Sequence, residues 1–166
     1  MPPLKGIDRG INGDMLKALE ETGHGDQIVV VDASYSIPDG AHKVDYQGDS
    51  SVRALLGILS LVPVDEVTEG GFGVPNPARM IAVMMPDLPA KTSAALEEFQ
   101  KAFPLGDQGY VLVGITRCGD ESSKGQLGKA GFYKTANDSE RRTLFVRTRD
   151  EKAYACALFV VGHSQE

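Results

Sequence analysis

Apolar residues recur along the chain in two periods. Met15, Leu16 and Leu19 fall at three-to-four spacing behind Asn12, whose side chain suits a helix N-cap, and Gly23 follows as the terminator. Gly23 is expected to supply the left-handed backbone common at helix ends. Residues 27–31 are a short, mostly β-branched apolar run of the kind that fills a strand covered on both faces, and the run ends at Asp32. Residues 33–40, with two serines, a proline and a glycine, read as a loop, and the partial alternation of residues 42–46 reads as a weaker strand. Asp49 or Ser50 is placed to cap a helix over residues 52–62, which Pro63 stops.

The second half continues the alternation. Residues 66–77 carry Gly70, Gly71, Gly73, Pro75 and Pro77 and read as a surface loop. Strands are predicted over residues 80–85 and 111–115, flanking a helix that Pro89 opens and that Ala94, Leu96, Phe99 and Phe103 face inward. Residues 118–128 are polar and glycine-rich, without the spacing or the hydroxyl residue of a phosphate-binding loop. A short helix over residues 132–142 precedes two strands, residues 143–148 and 154–161, whose charged connection has the length of a hairpin. Strands alternating with helices and closed by an antiparallel pair predict an α/β protein, a three-layer αβα single domain over residues 1–166 with a mixed sheet.

Composition narrows the chemistry. With 166 residues and 42% hydrophobic residues, the chain can bury one substantial core. The net charge of −6 argues against nucleic acid or an acidic membrane surface as partner, and a small neutral ligand fits better. Cys118 and Cys156 lack metal-ligand spacing, so reduced thiols and no metal site are expected. No apolar run reaches the roughly 20 residues of a membrane span, and the first residues lack a signal core, so a cytoplasmic location is expected.

Three histidines are present. His24 sits in the turn between the first helix and the first strand. On the residues alone, a capping or surface role for it is favoured over a catalytic one. Asp32 stands at the carboxyl end of a strand, where ligands gather in open α/β sheets, although it could merely bind nearby backbone amides. His24 and Asp32 flank the same strand, so they reach one pocket only if the chain or a neighbouring subunit folds back. Asp26 reads as a turn stabiliser, and His42 and His163 as solvated.

The pattern Leu19-x-x-x-Gly23-His24-Gly25-Asp26, then an apolar strand, then Asp32-Ala33, resembles the D-ribose pyranase and L-fucose mutarotase family. The stretches 131–136 and 148–156, with the closing strand and Gly162, resemble that family's second half. The Gly-His-Gly-Asp and Phe-Tyr-x-x-Ala blocks are similar to the fucose branch. The resemblance implies a cofactor-independent mutarotase acting on a small neutral monosaccharide such as L-fucose or D-ribose. It also implies a homo-oligomer, ring-like, with a decamer among its forms. His24 then corresponds to the acid–base residue, while Asp32, Lys129, Tyr154 and Cys156 correspond to sugar-binding positions. Two of these depart from the family pattern, Cys156 where an Asn is expected and Lys129 at the position of a basic residue with a planar fork. A thiol cannot reproduce an amide's paired donor and acceptor, and Lys lacks the fork of Arg. Those departures favour the alternative of a catalytically weak sugar-binding or regulatory relative.

Overall fold

The computed structural model describes residues 5–67, 78–84, 94–103, 110–115, 132, 136–137 and 141–163. Helix α1 (Gly13–Glu20) begins where expected, with the Asn12 side chain accepting a 2.9 Å hydrogen bond from the Met15 amide. Strand β1 (Gln27–Val31) is buried throughout. Strand β2 (His42–Asp45) is largely exposed and forms a sheet edge. Helix α2 (Ser51–Leu59) takes Ser50 as its N-cap and ends one turn before Pro63. There follow β3 (Glu66–Val67), β4 (Ala78–Met84), α3 (Ala94–Ala102), β5 (Tyr110–Ile115), β6 (Thr143–Arg147) and β7 (Ala157–Val160). Phe132 and Ala136 are helical, within the stretch predicted as a short helix.

These strands form one mixed sheet in the order β2-β6-β1-β7-β4-β3. β5 pairs in parallel along β4. A strand has two edges, so β3 and β7 share the other edge of β4, against Ala78–Arg79 and Ala82–Val83 respectively. β1, β2 and β6 run parallel, and β7 runs against β1 and β4. The carboxyl ends of β1, β2, β6, β4 and β5 therefore lie at one end of the sheet.

Alternate side chains face two separate cores, as the pleat requires. Ile28, Val30, Leu144, Val146, Ile81, Val83 and Phe159 pack with Met15, Leu55, Ile58 and Phe99, which belong to α1, α2 and α3. Val29, Val31, Phe145, Ala82 and Leu158 pack on the other face with Tyr35, Phe132 and Ala136. Helical residues thus cover both faces, as the αβα expectation has it.

Three expectations need correction. β6 and β7 are not a hairpin, because β1 lies between them, pairing with residues 143–147 on one side and 157–160 on the other. A strand buried along its whole length needs partners on both edges and cover on both faces, and the central position supplies all four. The connection 148–156 crosses the carboxyl end of β1 and is tied down there. The Thr148 amide and hydroxyl both donate to Val31 O at 3.0 and 2.9 Å, and the Ala33 amide donates to Asp150 O at 2.9 Å. Secondly, Gly25 and not Gly23 carries the left-handed backbone, with φ of 90°. The helix ends at Glu21 in right-handed geometry, and the reversal is made one residue after His24. Thirdly, Glu66 and Val67, expected to open a loop, pair with β4. The rest of that loop, the glycine-rich stretch 118–128 and Pro89 lie outside the described residues.

Gly162 closes the sheet at the opposite end. A Cβ there would stand 2.8 Å from both Asp65 N and Val64 O, backbone atoms that cannot move independently. Gly162→Ala is therefore expected to destabilise the fold by about 1–3 kcal/mol, seen as a lower urea midpoint at unchanged slope. An unchanged midpoint would show that this crossing yields without cost.

Candidate functional site

The residues singled out in the sequence fall into two groups, one at each end of β1. At the carboxyl end, Asp32 is buried, at 5% exposure. Its Oδ1 accepts from the Ser34 amide and hydroxyl, both at 3.1 Å, and its Oδ2 accepts from Cys156 Sγ at 3.5 Å. Burial, followed by the Asp32 charge beside it, raises the Cys156 thiol well above its ordinary range. The thiol is consequently a protonated donor at neutral pH. A carboxylate offers about four lone-pair sites, so three internal donors leave Asp32 room for one more.

Cys156 is completely buried, and Tyr154, two residues earlier, is half-buried against the same core face. Tyr154 holds φ at 64°, the one described non-glycine residue with positive φ. Such backbone costs a non-glycine residue about 1–2 kcal/mol, and it belongs to a turn: the strand expected from Tyr154 onward starts only at Ala157, so Tyr154 leaves the chain from the connection before β7. An open cleft of about 590 Å³ lies along the same crossover, lined by Asp49, Arg149, Asp150, Glu151 and Lys152. Asp150 forms its floor. Its Oδ2 accepts from the Ser51 amide at 2.9 Å, at the start of α2, and its Oδ1 lies 3.2 Å from Lys152 Nζ. Burial opposes the Lys152 charge, but hydrogen bonds to Glu98 and Asp150 outweigh it and hold the ammonium above its ordinary range. Lys129 lies outside the described residues.

At the other end of β1, Asp26 behaves as expected. Its Oδ2 accepts from the Gly23 amide at 2.8 Å and closes the turn that presents His24. The His24 side chain is 46% exposed, and its Nε2 lies 3.4 Å from Asp65 Oδ1. His163 is exposed, as expected, but it is not merely solvated: its ring lies on the His24 ring with centroids 3.7 Å apart and planes tilted by 33°. Sequence reasoning missed Asp65 and His163 as neighbours of His24, since neither shares a motif or an element with it. Five strand residues at about 3.3 Å each separate His24 from Asp32 by at least about 16 Å. One chain does not bring them together.

The half-exposed imidazole is open to a ligand on one side. The buried carboxylate is an acceptor for a hydroxyl. Among the described residues, no three His, Cys, Asp or Glu side chains are grouped to hold a metal ion, and no helix is long and apolar enough to cross a membrane.

Comparison with known proteins adds a family. Residues 5–164 match the model of the RbsD / FucU transport protein family. An L-fucose mutarotase of Histophilus somni (strain 2336) is 43% identical over 137 residues, which cover 82% of each chain. The structure of the fucose mutarotase from Streptococcus pneumoniae, in complex with L-fucose, superposes with a TM-score of 0.66 at 22% identity, covering 98% of this chain and all of that one. Bacillus subtilis RbsD, complexed with D-ribose, gives a TM-score of 0.58 at 17% identity over 93% of this chain and 95% of that one. At these identities the two structures speak to the fold.

Proposed function

Because this chain belongs to the RbsD / FucU transport protein family, we propose that it is an isomerase, a cofactor-independent mutarotase that interconverts the anomers or ring forms of a monosaccharide such as L-fucose or D-ribose. The observation that carries this reading is the half-exposed imidazole of His24 held beside the Asp65 carboxylate on a stapled turn. Names borne by relatives, among them an L-fucose mutarotase and a D-ribose pyranase, support the same class.

In the reaction, a base removes the proton of the anomeric hydroxyl, the bond from the anomeric carbon to the ring oxygen breaks, and the ring oxygen gains a proton. The aldehyde turns about its neighbouring bond, and the same steps reverse on the other face. No electron changes hands and no group is lost, so one imidazole that gives and takes protons suffices. Such help is worth about 10²–10⁴ in rate. In this reading Asp32 accepts from a sugar hydroxyl, Tyr154 offers its ring and hydroxyl, and Lys129 donates. Cys156, buried as it is, acts through Asp32, to which it donates.

The distance between His24 and Asp32 supports a site shared between subunits of a homo-oligomer, a ring-like one in keeping with the family resemblance. The chain acts as one domain in the cytoplasm. Saturation-transfer NMR on a panel of aldoses tests the function directly: exchange between α and β signals should speed up on adding the protein for at least one sugar. If no aldose exchanges faster while one still binds, the sugar-binding or regulatory alternative replaces the enzyme.

That alternative draws on Cys156, which leaves the site without a side-chain amide. An unmade hydrogen bond in a buried site costs about 1–3 kcal/mol, or roughly ten- to a hundredfold in affinity. Cys156→Asn should tighten fucose or ribose binding by up to that factor in titration calorimetry, and Lys129→Arg should add to it. A double variant that binds no better than the parent would remove both positions from the site.

A further inference from the structure

The turn bearing His24 is exposed on one side, yet its imidazole is held from two directions by residues that local sequence does not connect to it. Asp65 meets the ring edge at Nε2, at 3.4 Å, and His163 meets its face, at 3.7 Å between centroids. The three residues come from three chain segments, and backbone hydrogen bonds fasten these segments to one another. The Gly25 amide donates to Val161 O at 2.9 Å and the Val161 amide to Asp26 O at 2.8 Å, joining the His24 turn to the exit of β7. The Asp65 amide donates to Val160 O and the Gly162 amide to Pro63 O, both at 2.9 Å, joining that exit to the segment before β3. Gly162 permits this second crossing, since any side chain there would strike the backbone of Val64 and Asp65. The arrangement is a rigid frame around a side chain that would otherwise sample several rotamers.

We propose that Asp65 and His163 are positioning residues for His24, Asp65 fixing the edge of the imidazole and His163 its plane, so that one ring orientation is presented to the sugar. This rests on the reading of His24 as the acid–base residue. The chemistry explains why orientation matters. Proton transfer requires the ring nitrogen within hydrogen-bond reach of the anomeric hydroxyl and then of the ring oxygen, and a displacement of about 1 Å can cost a hundredfold in rate.

Two measurements on the full chain test the proposal. Carbon relaxation of the His24 ring should report an ordered side chain in the parent and a more mobile one in Asp65→Ala and in His163→Ala, with Asp65→Glu restoring order. Anomer exchange should show kcat lowered about tenfold in each alanine variant with KM nearly unchanged, because a misplaced ring weakens the transition state more than binding. His163→Phe, which retains a flat ring and no titrating nitrogen, should keep the parental kcat. A His24 ring equally ordered in parent and alanine variants overturns the proposal. A His163→Phe variant as slow as His163→Ala overturns it for His163, which would then be moving protons itself. Should the parent catalyse no exchange, the mutarotase reading fails, and the relaxation measurement still decides the positioning roles.

Discussion

His24→Ala should reduce catalysed anomer exchange to the uncatalysed rate while the circular dichroism spectrum stays unchanged. The loss follows from the shortage of alternatives. Of the three histidines, His42 lies on the exposed edge strand β2 and His163, stacked on the His24 ring, is assigned to positioning it. The candidates placed with Asp32 are that acceptor, the buried Cys156 thiol, the Tyr154 hydroxyl and Lys129, none of them an imidazole. The spectrum should hold because the His24 side chain is 46% exposed and its turn is closed by the Asp26 carboxylate and by Gly25, neither of which needs the imidazole. The expected loss is the whole acid–base factor, about 10²–10⁴. A variant that retained parental exchange in saturation-transfer NMR would sink the assignment.

Equal amounts of His24→Ala and Asp32→Asn chains, the first inactive and the second at least about tenfold weaker alone, should recover about a quarter of parental activity when unfolded and refolded together, if every site takes its imidazole from one subunit and its carboxylate from a neighbour. The quarter is the chance that random assembly places an intact His24 opposite an intact Asp32. Asn is the right replacement, since its carbonyl can still accept from Ser34 and it keeps the side chain's shape in a buried position. Chains refolded separately and then mixed serve as the control. No recovery after joint refolding, with both variants assembled as the parent is, would mean that a shared site of this kind does not exist.

Local features are legible in the amino-acid sequence. Asn12 and Ser50 announce their helices because a cap bonds to an amide three residues on. The limits of β1 match the run of residues 27–31 because a fully buried strand admits few polar residues. Asp32 can be singled out for the same reason, as the first charge after that run. Long-range arrangements are not legible. That β1 separates β6 from β7 depends on which edges remain open once the sheet forms, and a charged connection of hairpin length gives no sign of it. Asp65 and His163 stand beside His24 through β-bridging between distant segments, which periodicity does not encode. Gly162 is recognisable as part of a motif, but its reason, the backbone of Val64 and Asp65 passing beneath it, belongs to the tertiary structure.

The central place of β1 has a consequence for how the chain is made. Its two partners lie far downstream in the chain, and the Val31–Thr148 hydrogen bond joins residues 117 apart. A ribosome adds about 5–20 residues per second, so β1 waits for seconds, apolar and without either neighbour, before its sheet can close. Pairings so remote in sequence also make for slow folding. The nascent chain is therefore exposed to aggregation while this apolar strand is already complete, and loss of residues 143–160 would strip β1 of both edges at once.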